Sequence, residues 1–146
     1  MVFTKETKSK RVIIARLERD EDILKTLEKV AKSHSITSGQ LSLIGAVQGI
    51  KLGYFDVEEN VYTHFIVEED LEVVSCSGNI ATLADGSLIV HAHMIASDRN
   101  GKCYGGHLME GCKVSATIEV YIQEVEGNVY RGRDELTGLN LLQLDK

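Results

Sequence analysis

Three of the five histidines in this chain stand close together: His91-Ala92-His93, then His107 beyond the turn-like Asp98-Arg99-Asn100-Gly101. Imidazole is the commonest metal ligand, and rings converging at ~2.0–2.1 Å on one ion make a transition-metal site. Whether these three converge depends on the elements beneath them. Ser87 to Ile95 is β-branched and apolar enough to read as a strand. Side chains alternate faces along a strand, so Leu88, Val90, Ala92 and Met94 form one apolar face, which is expected to be core. Ser87, Ile89, His91, His93 and Ile95 form the other. His91 and His93 therefore point the same way, with backbones roughly 7 Å apart.

The turn decides whether His107 joins them. If Asn100-Gly101 is a two-residue hairpin loop, Met94 faces His107 and the third imidazole lies on the wrong side. If the loop is Arg99-Asn100-Gly101, with Gly101 in the left-handed conformation, Asp98 faces Lys102 and His93 lies opposite His107. Asp98 suits the first position of a type I turn, which favours the three-residue loop. Gly105 and Gly106 then leave room beside the site. Cys103 shares the histidine face and is a possible fourth ligand, although such a cysteine is more often a small buried hydrophobe. Glu110 is the nearest carboxylate after His107, at an odd offset that places it on the opposite face unless the strand ends early or a neighbouring subunit supplies it.

The 146 residues fit one domain, 1–146, with 43% hydrophobic and 26% charged residues, enough for a real core. The net charge of −6 argues against a broad phosphate-binding surface and so against direct DNA binding. No run is long enough to span a membrane, and the first residues lack the apolar region of a signal peptide, so a cytoplasmic location is expected. Cys76, Cys103 and Cys112 are odd in number and contain no Cys-x-x-Cys pair, which excludes a disulfide framework or a four-cysteine zinc site.

Along the chain, residues 1–9 read as a frayed polar end and Arg11 to Leu17 as a strand. A principal helix is expected over about 20–33, with an apolar stripe of Ile23, Leu24, Leu27, Val30 and Ala31 and acids Asp20, Glu21 and Asp22 at its positive end. Strands follow at Gln40–Gly45, Ile50–Asp56 and Val61–Val67. His34 and His64 have no ligand-like neighbours and read as structural or solvent residues. Leu71–Ser77 is a strand, punctuated by Gly78-Asn79 before Ile80–Leu83. Val114–Val125 is a long strand, with Val129–Arg133 expected to pair back on it across Glu126-Gly127-Asn128. The tail 136–146 is too apolar to be free and is expected to dock on the body or on a neighbouring subunit. One helix among many short-turned strands gives an α+β fold, a curled and mostly antiparallel sheet with the helix packed on it.

Gly53-Tyr-Phe-Asp56, Ser75-Cys-Ser-Gly78-Asn79-Ile80, His91-Ala-His93, Ser97-Asp98, Gly105-Gly106-His107-Leu108 and Thr117-Ile-Glu-Val120 together resemble the plants-and-prokaryotes-conserved (PPC) domain over nearly the whole chain. The resemblance is to the single-domain prokaryotic type. It implies a homotrimer and a metal, usually zinc, on His91, His93 and His107. Plant members join the domain to AT-hooks, and members are often labelled DNA-binding for that reason. Arg131-Gly132-Arg133 resembles a hook core, but Asp134 stands where the hook has proline. A rival resemblance, to the cupin barrel, rests on Gly86…His91-x-His93, with Ser97 and Asp98 where a cupin glutamate belongs.

These readings give a metal-binding homotrimeric domain of unknown activity, with one divalent transition metal, expected to be zinc, per chain. The alternatives are a metal-dependent enzyme acting on a small molecule through a metal-bound water, with its catalytic base unknown, and a DNA-binding regulator.

Overall fold

Apolar residues recur at every second position over most of this chain and at helical spacing only once, after Asp22. The elements follow that pattern. In the computed structural model, which describes residues 2–145, they are β1 (Ser9–Leu17), α1 (Ile23–Ser33), β2 (Gly39–Val47), β3 (Ile50–Asp56), β4 (Val61–Val67), β5 (Leu71–Thr82), β6 (Leu88–Ser97), β7 (Cys103–Leu108), β8 (Val114–Val125), β9 (Tyr130–Arg133) and β10 (Asn140–Gln143). All ten strands join one curled sheet, in the order β1-β8-β2-β5-β6-β7-β3-β4 with β9 and β10 as a branch from β5. The pairings are antiparallel except for a single parallel bridge, Thr82 to Tyr130. The α+β class expected from the sequence is the one observed. No helix among the described residues is long and apolar enough to cross a membrane.

The helix starts later than its charge pattern suggests. Asp20 adopts φ 71°, in the left-handed region, and Asp22 is extended at ψ 124°, so Asp20 and Glu21 both lie outside the helix. Asp22 is the N-cap and accepts the Lys25 N–H at 3.1 Å, satisfying one of the free donors of the first turn. Its other carboxylate oxygen accepts the Gly111 N–H at 2.7 Å, tying the helix start to the loop after β7. Ile23, Leu27 and Ala31 are completely buried against the inner face of the sheet. Val90, Ala92 and Met94 of β6 belong to the same core, which turns His91 and His93 to the outer face.

Three further expectations change. Gly78-Asn79 does not interrupt a strand: β5 runs unbroken through both. A Cβ at Gly78 would lie 2.1 Å from the His91 carbonyl oxygen and 2.6 Å from Ala92 Cα, so glycine there permits β5 and β6 to approach. Second, β9 does not pair with β8, because β1 and β2 already occupy both edges of β8. The chain turns away at Gly127, φ 77°, and β9 pairs instead with β10 and touches β5. Third, the segment read as a frayed end has partners. The Thr4 N–H donates to the Asp145 carbonyl at 2.9 Å, and the Thr7 hydroxyl to that of Glu126 at 2.6 Å. The tail lies on β9 through β10, with Leu141 and Leu142 still 40% and 37% exposed.

Cross-strand pairing lays one row of residues over the outer face: Ile14, Tyr121, Ser42, Ser77, His93, His107, Gly53 and His64. The histidines thus sit midway along a continuous surface rather than in a loop. The Gly78→Ala variant is expected to lose at least ~2 kcal/mol of stability, since the clash is with backbone. Gly105→Ala meets its neighbours at an ordinary 3.5 Å and is expected to lose less than about 1 kcal/mol. Urea unfolding of the two variants beside the parent checks both values, and equal losses would refute the packing argument.

Candidate metal centre

The β6–β7 turn sets the site. Asp98 N–H donates to the Lys102 carbonyl at 2.9 Å and Gly101 N–H to the Asp98 carbonyl at 3.0 Å. The Asp98 carboxylate also accepts the Asn100 and Lys102 N–H groups, at 2.8 and 3.0 Å. Gly101 takes φ 82° in open space. This is the three-residue loop, and it pairs Ser97 with Cys103 and His93 with His107.

His91, His93 and His107 consequently converge. Their ring centroids are 5.0 to 5.5 Å apart, and one nitrogen from each lies within 4.8 Å of the others. Nitrogens bound to one tetrahedral zinc sit roughly 3.4 Å from each other, so small ring rotations close the gap. Burial, with help from Arg131 and the two neighbouring imidazoles, pushes the His91 pKa down to about 4. Burial first, then His93 and Arg131, lowers that of His107. Both rings are therefore neutral at pH 7, the protonation state a metal ligand needs. His107 Nδ1 is buried with no hydrogen-bond partner, a lone pair or proton left unsatisfied. These three residues can hold a metal ion.

Two side chains not foreseen from the sequence complete the surroundings. Tyr62 of β4 brings its ring to 5.2 Å from that of His107. Gly53 lies between them in the sheet, where a Cβ would meet Tyr62 Cδ1 at 3.4 Å. Arg131 of β9 is 7% exposed. Its Nη2 donates to Asn79 Oδ1 at 2.9 Å and contacts His91 Nδ1 at 3.1 Å, and its Nη1 donates to the Asn140 carbonyl at 2.7 Å. Arginine keeps its protons, so in the His91 contact the imidazole nitrogen is the acceptor. The only sequence signal for this residue was an arginine inside an otherwise strand-like segment.

The other candidates separate from the cluster. Cys103 is exposed, its thiol 3.7 Å from the Gly101 carbonyl, and it is not among the converging ligands. Gly106 does not make room for the site. A Cβ there would strike the Gly53 carbonyl at 2.8 Å and Leu52 Cβ at 3.0 Å, so it serves the packing of β7 on β3. Gly105 is on the histidine side, beside Ile95. Glu110 pairs with Lys25 at 2.9 Å, both side chains 62% exposed. It borders a hollow of about 460 Å³ that shares Tyr62 and His107 with the smaller one beside His91 and Arg131. His34 and His64 are exposed and outside the cluster.

The sequence pattern of the Plants and Prokaryotes Conserved (PCC) domain matches residues 4–126. The chain belongs to this family. Among solved PCC-like structures, a metal-containing protein from Archaeoglobus fulgidus is 31% identical, with a TM-score of 0.88 over 98% of this chain and 99% of that one. A plant- and prokaryote-conserved (PPC) protein from Pyrococcus horikoshii is 29% identical, with a TM-score of 0.90 over 100% of this chain and 99% of that one. The bifunctional protein GlmU of Synechococcus sp. (strain JA-3-3Ab) is 31% identical over 142 residues, 96% of this chain. The PCC chain spans 21% of that relative's length.

The lowered His91 pKa has a stability consequence. Between about pH 6.5 and 4 the unfolded chain binds a proton at His91 that the folded chain does not. The metal-free protein is therefore expected to keep this contribution above pH 6.5 and lose it progressively as the pH falls towards 4. Urea midpoints measured across that range should fall more steeply for the parent than for His91→Gln. Parallel slopes would contradict the assignment.

Proposed function

We propose that this PCC domain binds one divalent transition metal, zinc, per chain through His91, His93 and His107, and works as a homotrimer. The observation that carries the metal reading is the unpartnered buried Nδ1 of His107 inside a cluster of three converging imidazoles. A buried polar atom without a partner costs roughly 1–3 kcal/mol, and a metal bound at that nitrogen offsets the cost. The likeness to the metal-containing Archaeoglobus protein supports the same reading. Three imidazole ligands suit zinc and leave one tetrahedral position for another molecule.

The trimer reading is supported by the outer face. Ile14, Ile44, Val74, Ile95 and Tyr121 are all about half exposed or more, on five different strands, along the surface that carries the histidines. So large an apolar area on a monomer marks an association surface. A second reading, action on a small molecule, is favoured by the cavity of about 230 Å³ bounded by Tyr62, His91, His107 and Arg131. No carboxylate lines it, so a general base for hydrolysis is not part of the proposal. Direct DNA contact is disfavoured by the net charge of −6.

Elemental analysis of untagged protein is expected to give about one zinc per chain, and His91→Ala/His93→Ala to lose it. No transition metal in the parent, even after incubation with zinc, would sink the metal reading. Sedimentation equilibrium is expected to give the mass of three chains, and Ile44→Glu to shift it to one. A monomeric parent would remove the trimer.

A further inference from the structure

A neutral imidazole has one lone pair. In the structure His91 offers its lone pair, on Nδ1, to Arg131 Nη2. A metal bound by His91 takes that lone pair, and the other ring nitrogen then carries the proton. Whichever nitrogen ligates, His91 can no longer accept from Arg131. Metal loading therefore costs the guanidinium an acceptor in a site where it is already short of them: Arg131 Nε is buried with no partner. Its remaining acceptors, Asn79 Oδ1 and the Asn140 carbonyl, are both neutral. Among the described residues it has no salt bridge, in contrast to the other buried charge, Glu124, which pairs with Lys10 and Arg11. A buried cation left with neutral partners beside a divalent ion is costly unless an anion joins it.

The cavity of about 230 Å³ is lined by His91, His107 and Arg131. Ile89, Leu139 and Leu141 give its lining an apolar part, and no acidic side chain lines it. We infer that the metal-loaded site binds a small monocarboxylate, with its carboxylate between the open metal position and Arg131 and its short apolar end against Leu139 and Leu141. The guanidinium fork matches a carboxylate, and the apolar lining and volume select a short branched chain over a fully hydrated inorganic ion. Arg131 is then a ligand-binding residue, and Asn79 and the Asn140 carbonyl position it. This inference rests on the metal reading above.

The test uses the full chain loaded with cobalt, whose visible bands report the ligands of the ion, and titrates it with isobutyrate, isobutyramide and inorganic phosphate. Cobalt content is measured first. The expected result is about one cobalt per chain and a saturable spectral change with isobutyrate but not with its neutral amide. Arg131→Met should keep its cobalt and weaken isobutyrate about tenfold or more, the loss of one charge-assisted hydrogen bond. Leu141→Glu, a change at a part-exposed position, places a carboxylate in the cavity and should weaken isobutyrate similarly, and it decides the matter if Arg131→Met does not fold. A parent that takes up no cobalt overturns the metal reading and this inference together. A loaded parent whose spectrum isobutyrate leaves unmoved, or whose folded variants bind isobutyrate as tightly as the parent, overturns the carboxylate alone. So does a response to phosphate without one to isobutyrate.

Discussion

The pairing register of β6 with β7 is the constraint on which the site depends. Strand side chains alternate with a period of two, so a slip of one residue would turn His107 into the core and bring Gly106 or Leu108 opposite His93. The strands oppose that slip through the glycine needed at Gly106 and the burial of Leu108. The turn opposes it as well. Asp98 holds the loop through its carboxylate and both backbone groups, and Gly101 supplies the left-handed residue the loop requires. The third imidazole is thus positioned by residues 6 to 9 places away in sequence that never touch it. Gly78 adds a second check from the other side, fixing β5 against β6 so closely that His91 stays opposite Asn79.

Electrostatically the cluster is poised rather than relaxed. Three bases share a small half-buried space with a guanidinium, and burial disfavours charging any of the rings it covers. The same crowding leaves two polar atoms, His107 Nδ1 and Arg131 Nε, without partners. A purely structural polar cluster would be expected to satisfy its members. Here the two residues that own the unsatisfied atoms line one cavity.

Much of this was legible in the sequence because it is local. The strand period, the apolar stripe of α1 and the choice between two loop lengths all depend on residues within a few positions of one another. Asp98 and Gly101 carried enough turn chemistry to place His107 on the right face. The misreadings are of another kind. Arg131 meets His91 and Asn79 across 40 and 52 positions, and no periodicity reports such a meeting. Gly78 looked like punctuation because a glycine that ends a strand and one that admits a neighbouring strand are the same letter. The pairing of β9 with β8 failed because a hairpin signal says nothing about whether the edge it needs is already taken. Asp20 was read as a favourable charge on the helix when its backbone conformation already excludes it from one.

The attachment of β9 divides the site along the chain. The segment carrying Arg131 meets the main sheet at one parallel bridge, Thr82 to Tyr130, and through the Arg131 side chain's contacts with Asn79 and His91, while its ladder partner is β10; it lies beyond residue 126, where the family match stops. The histidines lie inside that pattern, on strands paired along most of their lengths. The three imidazoles and the guanidinium are therefore held by different stretches of polypeptide under different structural obligations. The register that groups the imidazoles is set within β6 and β7, whereas the place of the guanidinium depends on a ribbon whose ladder partner is the tail, so a shift of that ribbon would move the cation and leave the three rings together.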